Sequence, residues 1–254
     1  MENIRSILNS FSPITLDEMD GIKLMNRTDT KYVFPQQQLP QLLEELRDDY
    51  KILDVNGQRI SRYESLYFDT ENLDLYHRHH RGKTNRHKVR YRKYVESDLN
   101  FFEIKFKSNK GRTIKSRVKQ EEILHDIRDK AEQLLHKKTP LQSSDLKPMF
   151  WVHYSRITLV NKHAPERVTV DTDLYYEKDG ATRHMNDLVI AEVKQDRAGR
   201  SPFAKLMKKE HIRSGSVSKY CFGVLSFFKD IKQNNFKYNL RNINKVLYGT
   251  SASA

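Results

Sequence analysis

The sequence predicts an α+β fold, a closed antiparallel β-barrel with helices packed outside. Three observations predict it. Short runs with two-residue alternation recur along the chain. One face of strand after strand carries Lys and Arg while the other is apolar. Several amphipathic segments are available to cover the apolar face. The 254 residues suit one large domain or two small ones. No repeat, low-complexity linker or break in composition divides them, so a single domain over 1–250 is expected, with the tail 251–254 left outside it.

In order, residues 1–20 read as a helical lead-in, and 27–34, RTDTKYVF, as a strand. Pro35 opens a helix with Leu39, Leu42, Leu43 and Leu46 on one face. Residues 62–69, RYESLYFD, are strand-like. A polar, His-rich stretch, 76–87, reads as a loop. The segments 87–95 and 101–107 make a hairpin across the turn Glu96 to Asn100. A basic loop over 108–117 and an amphipathic helix over 119–137 follow, then a second hairpin from 150–160 and 167–171. A strand over 188–194, a helix from Ser201-Pro202 through Met207, and a largely buried helix over Val217 to Ile231 complete the reading.

Lys plus Arg number 46 against 33 Asp plus Glu, a net charge of +13. Such a field favours an anionic partner: nucleic acid, an acidic membrane surface or a phosphorylated small molecule. The single cysteine, Cys221, rules out an internal disulfide or a Cys-based zinc site and fits a reducing, cytoplasmic setting. No apolar run approaches the roughly 20 residues of a membrane span, and no leader pattern opens the chain. The nine glycines never take the spacing of a G-x-G-x-x-G or Walker loop. Phosphates bound here must be held by side chains, for which Lys and Arg are suited.

One face of each strand collects Arg27, Asp29 and Lys31; Arg86, Lys88, Arg90 and Arg92; Glu103, Lys105 and Lys107; Arg156; Arg167 and Asp171; and Glu192 and Lys194. The opposite faces hold Val89, Tyr91, Phe102, Ile104, Ile157, Leu159, Val168, Val170, Val189, Ala191 and Val193. A half-exposed sheet with a solvated charge face is the plain alternative. Against it, like charges this dense repel one another unless an anion is present. Helices outside and cations inside describe a barrel whose lumen awaits a polyanion. Asp29 and Glu103 read as salt-bridge partners. Glu192, mid-strand in an apolar run, is the candidate ligand for Mn²⁺ or Mg²⁺, which take one or two carboxylates plus phosphate oxygens.

At these residues the chain resembles the VTC domain, the polyphosphate polymerase domain of the vacuolar transporter chaperone complex, within the triphosphate tunnel (CYTH-like) superfamily. The resemblance rests on the strand ending at Lys31, SLYFDT (65–70), the pair Arg90 and Arg92, EIKFK (103–107), YSR (154–156), RVTVDTDL (167–174), AEVK (191–194) and SVSKY (216–220). It implies that Lys31, Arg90, Arg92, Lys105, Arg156 and Arg167 line a tunnel and hold phosphates. It also implies that Glu192 ligates the metal and that Lys219 reaches the transferred phosphoryl group. With Lys88 and Lys194 from the same faces, the phosphate-binding set is Lys31, Lys88, Arg156, Arg167 and Lys194. The candidate catalytic set is Arg90, Arg92, Lys105 and Lys219. The superfamily's early E-x-E-x-K stands here as Arg27, Asp29, Lys31, closer to the polymerase than to the hydrolase branch.

The implied activity is transfer of the γ-phosphoryl group of ATP to a growing polyphosphate. A triphosphatase of the same fold and a non-catalytic polyphosphate- or RNA-binding module remain as alternatives. Nucleic acid is not expected, because the aromatics of 101–106 mostly alternate away from the charged face. His77, His79 and His80 read as an entrance loop rather than a zinc site. Arg112, Lys115, Arg117 and Lys119 read as an outer docking path or a solvated face. Trp151, Tyr154, Tyr175 and Tyr176 read as core or rim, and Cys221 as packing.

Overall fold

A computed structural model describes residues 2–20, 28–195 and 201–249. Arg27 and the tail 251–254 lie outside the described residues. The strands are β1 (Pro13–Ile14), β2 (Thr28–Pro35), β3 (Tyr50–Leu53), β4 (Ser61–Asp69), β5 (Arg86–Tyr94), β6 (Leu99–Lys107), β7 (Thr113–Gln120), β8 (Lys147–Asn161), β9 (Glu166–Lys178), β10 (Ala181–Met185) and β11 (Leu188–Gln195). The helices are α1 (Glu2–Asn9), α2 (Leu16–Asp20), α3 (Leu39–Leu46), α4 (Asp74–His80), α5 (Asp129–Lys138), α6 (Pro202–Lys209), α7 (Lys219–Phe227) and α8 (Lys237–Tyr248).

The strands form one sheet in the order β2-β11-β9-β8-β4-β5-β6-β7, antiparallel along this path, with β1, β3 and β10 attached at its sides. The α+β class is as expected. The expected closure is a different matter. Among the described residues the pairing is a path that ends at β2 and β7, and no ladder joins those ends. The sheet curls nonetheless, because residues of β2 and of β7 line the same cavity. The outer edge of β2 is covered by a connecting segment: Tyr32 bridges Ser214, and the Gly215 N–H donates to the Lys31 carbonyl at 2.9 Å.

The apolar faces and the helices meet as predicted. Leu39, Leu42, Leu43 and Leu46 of α3 are buried with Ile157, Leu159, Val168, Val170, Val189, Ala191 and Val193 in one cluster. Val89, Tyr91, Phe102 and Ile104 pack with Ala131 and Leu135 of α5 in another. Two short helices are started by serines. Ser201 Oγ accepts the Ala204 N–H and Ser218 Oγ accepts the Cys221 N–H, each satisfying one donor of the first turn.

Four expectations are corrected. The basic loop over 108–117 is largely strand: Thr113, Lys115, Arg117 and Lys119 alternate with Ile114, Ser116 and Val118 in β7, a two-residue period masked by the density of charge. The helix over 119–137 is confined to α5. Ile123, Leu124 and Ile127 do pack on the core, but from irregular chain, since Arg128 is extended at φ −137° and ψ 170°. The His-rich loop begins as α4. Its start has no side-chain cap of its own; Asp69 instead accepts the N–H groups of Leu75 and Tyr76, at 2.8 and 3.0 Å. The buried helix expected over Val217 to Ile231 spans only α7. Strands β3 and β10 and helix α8 were not anticipated. Among the described residues no helix is long and apolar enough to cross a membrane.

Candidate functional site

The curled sheet encloses a cavity of about 710 Å³. All ten candidate site residues line it: Lys31, Lys88, Arg90, Arg92, Lys105, Arg156, Arg167, Glu192, Lys194 and Lys219. Register brings them together. Arg90 lies opposite Glu103, Lys88 opposite Lys105, Arg156 opposite Asp171, Glu192 opposite Lys31, and Lys194 opposite both Asp29 and Arg167. Lys219 arrives from the first residue of α7. Helix α7 is tied to the sheet by Asp69, which is fully buried and accepts the Tyr220 hydroxyl.

The cations are held in two ways. Glu103, 2% exposed, accepts the Arg90 Nε and Nη2 at 2.9 and 2.6 Å, pairs with Lys115, and has Arg92 Nε at 3.9 Å. Asp171, 4% exposed, accepts the Arg156 fork at 2.6 and 2.8 Å and pairs with Lys219. Burial alone would raise both carboxyls. Their cations outweigh it and hold both well below the usual carboxylate range. The lysines differ. Lys31 Nζ donates to the Val217 carbonyl at 2.9 Å, and Lys88 Nζ to Ser218 Oγ at 2.8 Å. Burial brings the Lys88 ammonium down to about 8.

Glu192 is paired only loosely, with Lys194 Nζ at 3.7 Å. Burial would raise it, but Lys194, Lys31 and Lys105 bring it down to about 2, so it is a carboxylate at neutral pH. Among the described residues no three His, Cys, Asp or Glu side chains cluster to cage a metal. Glu103 and Asp171 are engaged by hydrogen-bonded cations. The donor set therefore fits a divalent ion that takes Glu192 and draws its remaining ligands from phosphate oxygens.

Several lining residues lie outside the site set expected from the sequence. Lys115 and Arg117 of β7, expected on an outer docking path or a solvated face, line the cavity, as do Tyr63 and Tyr67 of β4. The Tyr67 hydroxyl accepts Arg90 Nη1 at 2.7 Å. Burial would raise the phenol, yet Arg90, Arg92 and Lys88 bring it down to about 8. The RYESLYFD run, 62–69, contains the signal: alternation puts Tyr63, Ser65 and Tyr67 on the face opposite Leu66 and Phe68. Of the aromatics read as core or rim, Tyr154 lines the cavity and Tyr176 is core. Cys221 is buried as expected, with Sγ 3.0 Å from His79 Nδ1. His79, pushed down to about 2 by burial first and Lys88 second, is a neutral imidazole.

Comparison with known proteins fits this architecture. A protein of Hippeastrum, described as an adenylyl cyclase candidate with a dominant triphosphatase activity, is similar at 13% identity and a TM-score of 0.52, over 81% of this chain and 98% of that one. An adenylate cyclase candidate of Bacillus halodurans is similar at 14% identity and a TM-score of 0.48, over 81% and 100%. At such identities the likeness concerns the fold alone. No curated protein matches the sequence. The family model of the VTC domain matches residues 26–228, most of the length and every strand that lines the cavity, and the chain belongs to the VTC domain family.

Proposed function

We propose that the protein is a polyphosphate polymerase, which transfers the γ-phosphoryl group of ATP to the end of a polyphosphate chain inside the cavity. The observation that carries this reading is the lining: among the described residues, eleven Lys and Arg side chains and six acidic ones converge on one enclosed space. A nucleoside phosphate would be bound by Lys31, Lys88, Arg156, Arg167 and Lys194. Arg90, Arg92, Lys105 and Lys219 would surround the transferring group and offset charge as it spreads over the equatorial oxygens, so catalysis is positioning and electrostatics. Glu192 would hold Mn²⁺ or Mg²⁺, which when bound would offset negative charge on the phosphates. The bond from the ATP β–γ bridging oxygen to the γ-phosphorus breaks, a terminal polyphosphate oxygen bonds that phosphorus, and ADP leaves. ATP and polyphosphate as partners, and a cytoplasmic location, belong to the same proposal.

A triphosphatase is the second reading, supported by the activity described for the Hippeastrum protein of like fold. It would use the same cavity with water as acceptor. Incubation with ATP and Mn²⁺, followed by a gel for polyphosphate and an orthophosphate assay, separates them. Lengthening chains with ADP are expected. Orthophosphate without chains would transfer the assignment to the triphosphatase, and no turnover with tight binding would leave a binding module.

A further inference from the structure

The cavity is not uniformly charged. From its interior towards one mouth runs a chain of ring contacts: Tyr154 stacks on Tyr63 at 5.1 Å with planes 10° apart, Tyr63 meets Tyr94 at 5.0 Å, and Tyr94 meets Phe101 edge-on at 5.8 Å. All four rings line the cavity. The inner end is charged, with Lys219 Nζ 4.6 Å from the Tyr154 ring centre. At the outer end the exposed Arg117 lies over Phe101, its guanidinium carbon 4.5 Å from the ring centre. The lining also includes Leu16, 42% exposed, and Leu53, from α2 and β3.

A phosphate chain gains nothing from the ring faces themselves. Its oxygens need donors, and the aromatic faces and aliphatic side chains of the rim supply none. A flat heterocycle does gain: every base has a π-face, and stacking on aromatic rings and guanidinium planes is the general means by which proteins hold bases. Register gives the distance. Phe101 is the cross-strand partner of Arg92, and Arg90 lies two residues, roughly 7 Å, deeper along the strand. A base at Phe101 therefore leaves its phosphates running inward past Arg92 and Arg90. The opposite end is crossed by the segment whose Val217 and Ser218 hold Lys31 and Lys88.

We propose that Phe101 and Arg117, backed by Tyr94, form a nucleobase seat at the mouth of the cavity. It fixes the direction of a nucleoside triphosphate, base outward and terminal phosphate inward. The seat rests on the reading of the cavity as a nucleotide site. It works by stacking rather than by hydrogen bonds to base edges, so it distinguishes nucleotides from inorganic phosphates and tolerates different bases.

The test is equilibrium binding of ATP and of inorganic tripolyphosphate to the full chain, wild type and Phe101→Leu, without turnover. Leucine keeps apolar volume and removes the π-face. Expected is a loss of about tenfold in affinity for ATP, towards the low end of one base–aromatic stack, with tripolyphosphate affinity unchanged. GTP should lose by a similar factor. An equal loss of ATP and tripolyphosphate, or no loss of either, overturns the seat. If Phe101→Leu melts early, Arg117→Gln serves: it leaves the ring in place, and ATP should again lose more than tripolyphosphate. The seat and the polymerase reading can fail separately. Divergent affinities without polyphosphate synthesis keep the seat and remove the polymerase; synthesis with equal losses does the reverse.

Discussion

Two groups of cations share the cavity and are secured by opposite means. Arg90, Arg92 and Lys115 surround the buried Glu103, and Arg156 and Lys219 share the buried Asp171. Lys31 and Lys88 lean on a backbone carbonyl and a serine hydroxyl, and Lys105, among the described residues, has neither an ion pair nor a hydrogen bond. A buried charge is costly unless paired, so the first group belongs to the folded structure as much as to the ligand. The second group is more loosely held, Lys31 and Lys88 half-buried and Lys105 exposed, and on the proposed reading an anionic ligand would meet its charge. On that reading the carboxylate-paired cations would supply geometry, and Lys31, Lys88 and Lys105 would supply affinity. Removing one from each group should therefore damage different things.

The largest effect is expected from Arg156→Met. It takes the fork from Asp171 and leaves a 4% exposed carboxylate with Lys219 alone. Breaking a buried pair from one side costs about 3–5 kcal/mol, read from denaturant unfolding. A loss below about 1 kcal/mol would mean that Asp171 is not held by this pair, and the contrast between the groups would fall. Lys219→Met is the sharper probe within the same group. Asp171 keeps its Arg156 fork, so melting should change little, while turnover of ATP should fall roughly tenfold to thousandfold, as on loss of one electrostatic stabiliser. Unchanged turnover would remove α7 from the reacting end.

How much of this was legible follows from the same contrast. The alternation of Arg86, Lys88, Arg90 and Arg92 against Val89 and Tyr91 is a local property of one strand, and it located a cationic face correctly. Matching cations to carboxylates is not local. Asp171 meets Lys219 across 48 residues and Asp69 meets Tyr220 across 151, and no periodicity records either. The ring chain draws Tyr154, Tyr63, Tyr94 and Phe101 from four strands, so each looked like an isolated aromatic. Strand β7 was missed for another reason: in a stretch this basic, charge resembles a loop, and the alternation of Ile114 and Val118 is faint. The curl of the sheet was legible from its two unlike faces. Closure into a ring depends on how the last strand meets the first, which strand patterns do not encode.

The next effect tests the second group. Lys88→Met removes a half-buried ammonium whose partner is a neutral hydroxyl. Stability should hold or rise, because methionine fills the same space without the desolvation cost. Affinity for tripolyphosphate should fall about tenfold, the loss of one charge-assisted contact. Isothermal titration beside a melting curve checks both. A destabilised protein with intact affinity would reverse the roles assigned to the two groups.

The smallest effect is a pH dependence conferred chiefly by Lys88 and the neighbouring Tyr67. Lys88 sits near 8, chiefly through burial, and Tyr67 sits near 8 because Arg90, Arg92 and Lys88 outweigh its burial. Below that value Lys88 carries its charge and the phenol is neutral. Above it Lys88 loses its charge or Tyr67 becomes a phenolate, and either change makes the lumen less positive. The two groups both line the cavity and each shifts the other, so they titrate as a coupled pair rather than as independent sites. Affinity for ATP should accordingly decline as pH rises from about 7 to about 9, by a factor of several and at most roughly the tenfold of one lost contact. Arg90, Arg92 and Arg156 keep their protons throughout, their fold-state values standing above the ordinary guanidinium range. Lys88→Met and Tyr67→Phe should each flatten the profile in part, and the double variant should abolish it. A wild-type affinity that does not vary over this range, or a slope that survives in the double variant, would mean that the lysine end is not where the ligand's charge is met.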